Sequence, residues 1–357
     1  MRVILLLLAL AAPSPQAGLQ GPSRTGWEAI QNGEAEKAAS AFREALSANP
    51  RDALSQAGAG VAAHLLGRED EALRSLKKAL ELNPDLSYAS YMLGQVAYAQ
   101  GDLDLAIRSL ERALKASPGS RTLAAQIEQW KKEAALHDTF VQRPGARFTI
   151  LFEGPAQKAV ADRVNAVLEQ AYVRIGRTLN EYPPETITAI LYTKQQFRDI
   201  TRSPSWAAGV YDGRIRIPVQ GALRDPGELD RVVTHEYVHA VLHSLAPRGV
   251  PTWLNEGLAT YFEPGDHAWL TQRLRTANPI PLRMLEESFD RLDGEDALVA
   301  YAESCVAARV LVERLGPSFP TFLQYVGNGT SVDQALLLFN ISPDDIQREW
   351  SRRAGTK

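Results

Sequence analysis

The chain has a single cysteine, Cys305, in 357 residues. That scarcity excludes a disulfide framework within one chain and a structural zinc site built on several cysteines. Basic residues are not in excess. Lys+Arg 39 against Asp+Glu 42 gives a net charge of −3, without the electrostatic footprint of a general nucleic-acid binder. No apolar run reaches the ~20 residues that a membrane-spanning helix needs. Histidine is scarce too, six in all, yet His235, His239 and His243 fall within nine consecutive residues. Apolar residues are plentiful: 45% of the chain is hydrophobic, which excludes a wholly disordered protein, and the length suggests about two domains.

The N-terminus reads as a targeting segment. Arg2 precedes an apolar run over residues 3–12, and small residues with Pro13 and Pro15 follow. A positive residue, a short apolar stretch and a small-residue end describe a bacterial-type secretory signal peptide. It would cover residues 1–17, with cleavage between Ala11 and Ala17, and send the protein to a periplasm or the extracellular space. A misplaced start or a buried hydrophobic segment is the alternative.

Residues 19–137 repeat at a period of 34. Gly26, Gly60 and Gly94 lie on this lattice, as do Gly33, Gly67 and Gly101. So do Ala38, Ala72 and Ala106; Phe42, Leu76 and Leu110; Ala45, Ala79 and Ala113; and Pro50, Pro84 and Pro118. Such a period describes one helix pair per repeat. Small residues let the two helices approach. The second glycine falls in the turn between them, where a Cβ hinders reversal. The bulky position packs on the next repeat, and the proline ends the second helix. Residues 120–137, with Gln129, Lys131, Lys132 and Glu133, read as a polar-faced capping helix. The pattern resembles the tetratricopeptide family over three repeats, although Gln56 and Ser90 stand where a large aromatic is usual. The resemblance implies an α-helical solenoid whose concave face holds a substrate or partner protein. A spacer with no ligand of its own is the competing reading.

A second domain is expected over residues 146–355, after a turn-rich linker at Arg143-Pro-Gly-Ala. Residues 147–153 alternate and read as a strand, 156–179 as a helix, 186–192 as a second strand and 195–200 as a short helix. A strand pair is expected around Asp212-Gly213. From Gly227 onward the strong patterns are helical, so the domain is α+β.

The chemistry concentrates in residues 234–263. His235-Glu236-Tyr237-Val238-His239 is an H-E-x-x-H motif. Residues four apart stack on one helix face, so the two imidazoles can share a metal ion while Glu236 reaches a water beside it. With six histidines and 42 acids in 357 residues, composition alone produces roughly 0.01 such matches. A catalytic zinc takes a third protein ligand and keeps a fourth position open. Residues 251–263, Pro-Thr-Trp-Leu-Asn-Glu-Gly-Leu-Ala-Thr-Tyr-Phe-Glu, supply Glu256, brought back across a turn at residues 246–249. Small Gly257 and Ala259 allow close helix packing. The combination resembles the gluzincin metallopeptidases, and most of all the exported, peptidase MA-like branch, across about residues 146–355. The resemblance implies a zincin-like fold, one Zn²⁺ per chain on His235, His239 and Glu256, and Glu236 as general base.

Other residues weigh against or beside this set. His243 lies about 12 Å along the axis from His235, too far to share the ion, and reads as a wall residue. His64 and His137 read as surface or packing residues, and His267 as part of a solvated loop. Thermolysin-like sites often place a carboxylate one turn after the glutamate ligand. Thr260 stands there, with Asn255 and Glu263 as alternative partners for the histidines. The resemblance also implies that Tyr301 stabilises the oxyanion, against an ordinary core tyrosine. Cys305 reads as buried.

The substrate is expected as an added strand along residues 208–211. In related aminopeptidases a G-x-M-E-N element here anchors the substrate's amino group. The absence of glutamate in this stretch favours an endopeptidase acting on a peptide or protein. A catalytically inactive or partner-restricted repeat scaffold is the alternative.

Overall fold

The computed structural model describes residues 21–202, 209–219, 225–276, 280, 282–286, 289, 292 and 294–354. The expected signal peptide at 1–17 lies outside the described residues. The chain divides into two compact units, residues 1–138 and 139–357.

The first unit is helical. Its pairs are α1 (Gly21–Gln31) with α2 (Ala35–Ala48), α3 (Ala53–Leu65) with α4 (Glu69–Leu82), and α5 (Ser87–Ala99) with α6 (Leu103–Ala116). The cap α7 (Arg121–His137) follows. The lattice glycines act as expected. Gly33, Gly67 and Gly101 have φ of 74°, 69° and 85°, the left-handed region that disfavours any Cβ. A Cβ on Gly26, Gly60 or Gly94 would lie 2.7, 2.7 or 2.2 Å from Phe42, Leu76 or Leu110.

Those bulky side chains therefore rest on the small residue of their own repeat. Phe42 reaches the next repeat as well, at Gly58. Each is fully buried, worth about 1.5–3 kcal/mol of transfer free energy. The second helices end at Ala48, Leu82 and Ala116, each two residues before its proline.

One expectation for the cap changes. Glu133 is not on a solvated face: it is fully buried and accepts the Tyr98 hydroxyl at 2.8 Å. The Tyr98 ring stacks on Trp130 at 4.3 Å. Lys131 does stand on the polar face, 2.8 Å from Glu111.

The second unit opens with a mixed sheet, β1 (Val141–Arg143), β2 (Phe148–Phe152), β3 (Ile187–Tyr192), β4 (Val210–Tyr211) and β5 (Ile215–Pro218). The spatial order is β1-β2-β3-β5-β4. β2, β3 and β5 run parallel, with Ile150 opposite Ala189 and Leu191 opposite Ile217, and the two edge strands are antiparallel. Arg143, expected in the linker, ends β1 and pairs with Ile150. A three-residue edge strand followed by Pro-Gly carries too little periodicity to be read in advance.

β2 is buried on both faces rather than alternating, as parallel strands covered on both sides are. Helix α8 (Lys158–Leu179) buries Val160, Val164, Val167 and Ala171. Helix α9 (Lys194–Thr201) starts with a reciprocal capping box at Thr193 and Gln196.

Helix α10 (Pro226–Leu245) carries the H-E-x-x-H motif. Asp225 caps it by accepting the Glu228 N–H, and Pro226 occupies its first turn, where the missing donor costs nothing. Its first turn is exposed, and from Val232 onward most of its residues are buried, polar Thr234 and Glu236 among them. The chain reverses through Gly249, at φ 86°, into α11 (Thr252–Tyr261).

The remaining helices are α12 (Ala268–Thr276), α13 (Gly294–Leu315), α14 (Phe319–Gly327), α15 (Val332–Leu338) and α16 (Pro343–Ala354). The terminal amphipathic helix docks through Trp350, which is buried and donates to the Glu303 carbonyl at 3.2 Å.

The α11–α13 contact sets the position of Glu256. A Cβ on Gly257 would lie 2.2 Å from the Ser304 carbonyl oxygen and 2.6 Å from its carbon. Backbone cannot swing aside as a side chain can. Gly257→Ala is therefore expected to force the helices apart and destabilise the unit by about 1–3 kcal/mol, measured as a lowered denaturant midpoint. An unchanged midpoint contradicts this packing.

Candidate metal centre

Two helices bring the three expected ligands together. His235 and His239 are one turn apart on α10, their ring centroids 4.9 Å apart, and Glu256 faces them from α11. Glu256 Oε2 lies 3.3 Å from His235 Nε2 and 3.7 Å from His239 Nε2. One ligand atom from each residue lies within 4.8 Å of the others. Atoms sharing a tetrahedral zinc at ~2.0–2.1 Å stand about 3.4 Å apart. Two nitrogens and a carboxylate oxygen also suit a borderline-soft ion, so the residues present fit zinc.

The electrostatics of the site point to a cation as well. Burial opposes charge on His235, but the hydrogen bonds its ring donates to Glu256 and Glu263 outweigh it and push the imidazole up to about 10. Burial instead lowers His239. Burial raises Glu256, yet the nearby His239 and His235 hold it below the usual carboxylate range. Without an ion, the two flanking carboxylates favour the charged form of His235.

Glu236 points from the same helix turn into a dry environment. It is 5% exposed, and burial, reinforced by Glu256, Glu263 and Asp212, pushes it up to about 8 against the opposing pull of His235. Gly209, just before the edge strand β4, packs directly on it: a Cβ there would lie 2.6 Å from Glu236 Oε1. No local pattern around residue 209 announces that contact. The edge at 208–211 meets Glu236 at Gly209, while Ala208 lies outside the described residues.

The partners of the two histidines are resolved among the candidates. Thr260 is buried, and its hydroxyl has no hydrogen-bond partner among the described residues. Glu263 Oε1 instead lies 2.8 Å from His235 Nδ1, and Asn255 Oδ1 lies 3.2 Å from His239 Nδ1. Thr260 falls inside α11, whereas Glu263 follows the helix end at Tyr261 and so can fold back towards α10. With Nδ1 donating in both rings, Nε2 keeps its lone pair for the metal.

Tyr301, on α13, stands beside these groups. Its ring centroid is 6.2 Å from that of His235, and its hydroxyl hydrogen-bonds Glu256. His243 packs near Tyr211 at 6.0 Å between ring centroids, outside the ligand set. His267 is half-buried rather than solvated, with Nδ1 3.4 Å from Arg309 Nη2. His64 pairs with Glu69 at 2.9 Å. Cys305 is fully buried, and burial pushes its thiol up to about 12.

The Peptidase MA superfamily model matches residues 168–352, more than half of the chain, and the chain belongs to that superfamily. A tetratricopeptide repeat model matches residues 24–87 and 67–121, so a repeat module precedes a peptidase-like domain. Among solved structures, one titled as the first TPR of Spaghetti (RPAP3) bound to HSP90 peptide SRMEEVD is similar at 18% identity and a TM-score of 0.31. The match covers 35% of this chain and 98% of that one. No curated protein matches the chain.

Two outcomes are expected. Metal entry must displace a proton from His235, and the ion's charge opposes the proton that burial favours on Glu236, so zinc binding at neutral pH should release at least about one proton. Affinity should therefore rise with pH until that imidazole is neutral. Calorimetric heats that do not vary with buffer ionisation enthalpy would contradict this. Cys305 should resist a thiol reagent in the native protein and react fully on unfolding; rapid native labelling would contradict its burial.

Proposed function

We propose that this chain is an exported zinc-dependent endopeptidase whose repeats dock a substrate or partner protein. The carrying observation is the convergence of His235, His239 and Glu256 with Glu236 one residue away on the same buried helix. Export rests on the pattern of residues 2–17 alone.

His235, His239 and Glu256 would hold the zinc, whose chemistry when bound would be Lewis-acid polarisation of the scissile carbonyl and a lowered pKa of a water near neutral pH. Glu236 accepts a proton from the attacking water and returns it to the leaving amine as the C–N bond breaks. Burial raises its proton affinity, and the positive charge of a bound metal would oppose that shift and keep it ionised to accept. Tyr301 donates its hydroxyl to the oxygen on which negative charge develops, leaving its hydrogen bond with Glu256 to do so. A peptide adding to the edge strand β4 would run past Glu236, because Gly209 offers no side chain to block it.

Wild type and Glu236→Gln are to be compared on a diverse peptide library, with zinc content measured on both. Cleavage by wild type is expected to fall by at least about 10²-fold in the variant, with zinc retained. Equal cleavage by the two, or none by a zinc-loaded wild type, would overturn the general peptidase reading. Tyr301→Phe should lower kcat by about 10²-fold with little change in KM, by analogy with removal of one oxyanion donor; an unchanged kcat assigns the tyrosine to packing.

A further inference from the structure

Resting on the zinc reading above, we infer that Arg231 and Glu263 form a positioning pair that fixes His235 for the metal, and that Arg231 tunes how tightly the metal is held. Arg231 precedes His235 by four residues, one turn back on the same face of α10. Glu263 lies against both. It is 2.8 Å from His235 Nδ1, and Arg231 Nη1 donates to both of its oxygens at 3.2 Å. Glu228 holds the far side of the guanidinium, accepting from Nη2 at 2.6 Å and from Nε at 2.8 Å. The result is a continuous chain from Glu228 through Arg231 and Glu263 to the ligand ring.

Burial gives the pair its importance. The Glu263 side chain is only 3% exposed, whereas that of Arg231 is 36% exposed. A buried carboxylate needs a charged or hydrogen-bonding partner on each side. One neutral imidazole N–H does not supply that, and Arg231 does. With Arg231 in place the carboxylate is a full-strength acceptor for Nδ1–H. That fixes the ring plane and tautomer and directs electron density to Nε2. At Nδ1, His239 instead faces the neutral amide oxygen of Asn255. The two histidines are thus supported unequally, and His235 depends on an ionic partner supplied from its own helix.

The test is zinc affinity, read by competition with a chromophoric chelator, without recourse to activity. Arg231→Met and Glu263→Gln are each expected to weaken zinc binding by about 10–100-fold. Arg231→Lys, which keeps the cation, should recover most of the Arg231→Met loss. Arg231 is partly exposed, so its variants are expected to fold even if Glu263→Gln does not; circular dichroism checks each.

Cobalt-substituted protein adds a second readout. The visible absorption of the cobalt site should shift in Arg231→Met, because the ligand ring is reoriented. Wild-type affinity and an unshifted cobalt spectrum in Arg231→Met would overturn the inference while leaving the metal centre standing. Failure of the wild type itself to bind zinc would instead overturn the metal reading beneath it.

Discussion

The second unit is organised around an imbalance of buried charge. Glu236, Glu256 and Glu263 crowd around two imidazoles, with Glu236 and Glu263 almost fully buried. Carboxylates withdrawn from water are tolerated only beside positive charge or strong donors. Arg231 answers Glu263 from the rim, and a proton on His235 answers Glu256 from within. There His235, His239 and Glu256 each bring one ligand atom within 4.8 Å of the others. A divalent cation satisfies the same constraint with more charge and without occupying a ligand nitrogen with hydrogen.

The architecture serves that convergence. Helix α10 is mostly buried from Val232 to Leu245, which fixes the stacking of His235 on His239. Gly257 lets α11 press onto the backbone of α13, so Glu256 arrives from one side and Tyr301 from another. Gly209 lets the chain entering the sheet edge touch the base. Close backbone approach at two glycines does what larger side chains would prevent. The repeat unit uses the same device at Gly26, Gly60 and Gly94, there to seat one bulky residue per repeat.

Legibility in the sequence followed the range of the interaction. The repeats were readable because their glycines and prolines recur at fixed spacing and act through local backbone geometry. His235, His239 and Glu236 were readable because four-residue spacing on a helix sets contact directly. Glu256 required one helix reversal, and the turn residues announced it. The partner of His235 was not decided, because Glu263 acts from beyond a helix end where the path of the chain is tertiary. Arg231 stands at the ordinary one-turn interval from His235, yet nothing local says that a carboxylate 32 residues later will join them. Glu133 misled for a related reason. A charged residue on a capping helix suggests solvent, and only the fold places Tyr98 and Trp130 against it.

X-ray absorption of the zinc-loaded protein tests the centre most directly. The expected first shell is nitrogen and oxygen alone, with bonds of ~2.0–2.2 Å and imidazole outer-shell scattering from two histidines. Sulfur scattering near ~2.3 Å, a single imidazole, or no zinc uptake by folded protein would contradict a site made of His235, His239 and Glu256.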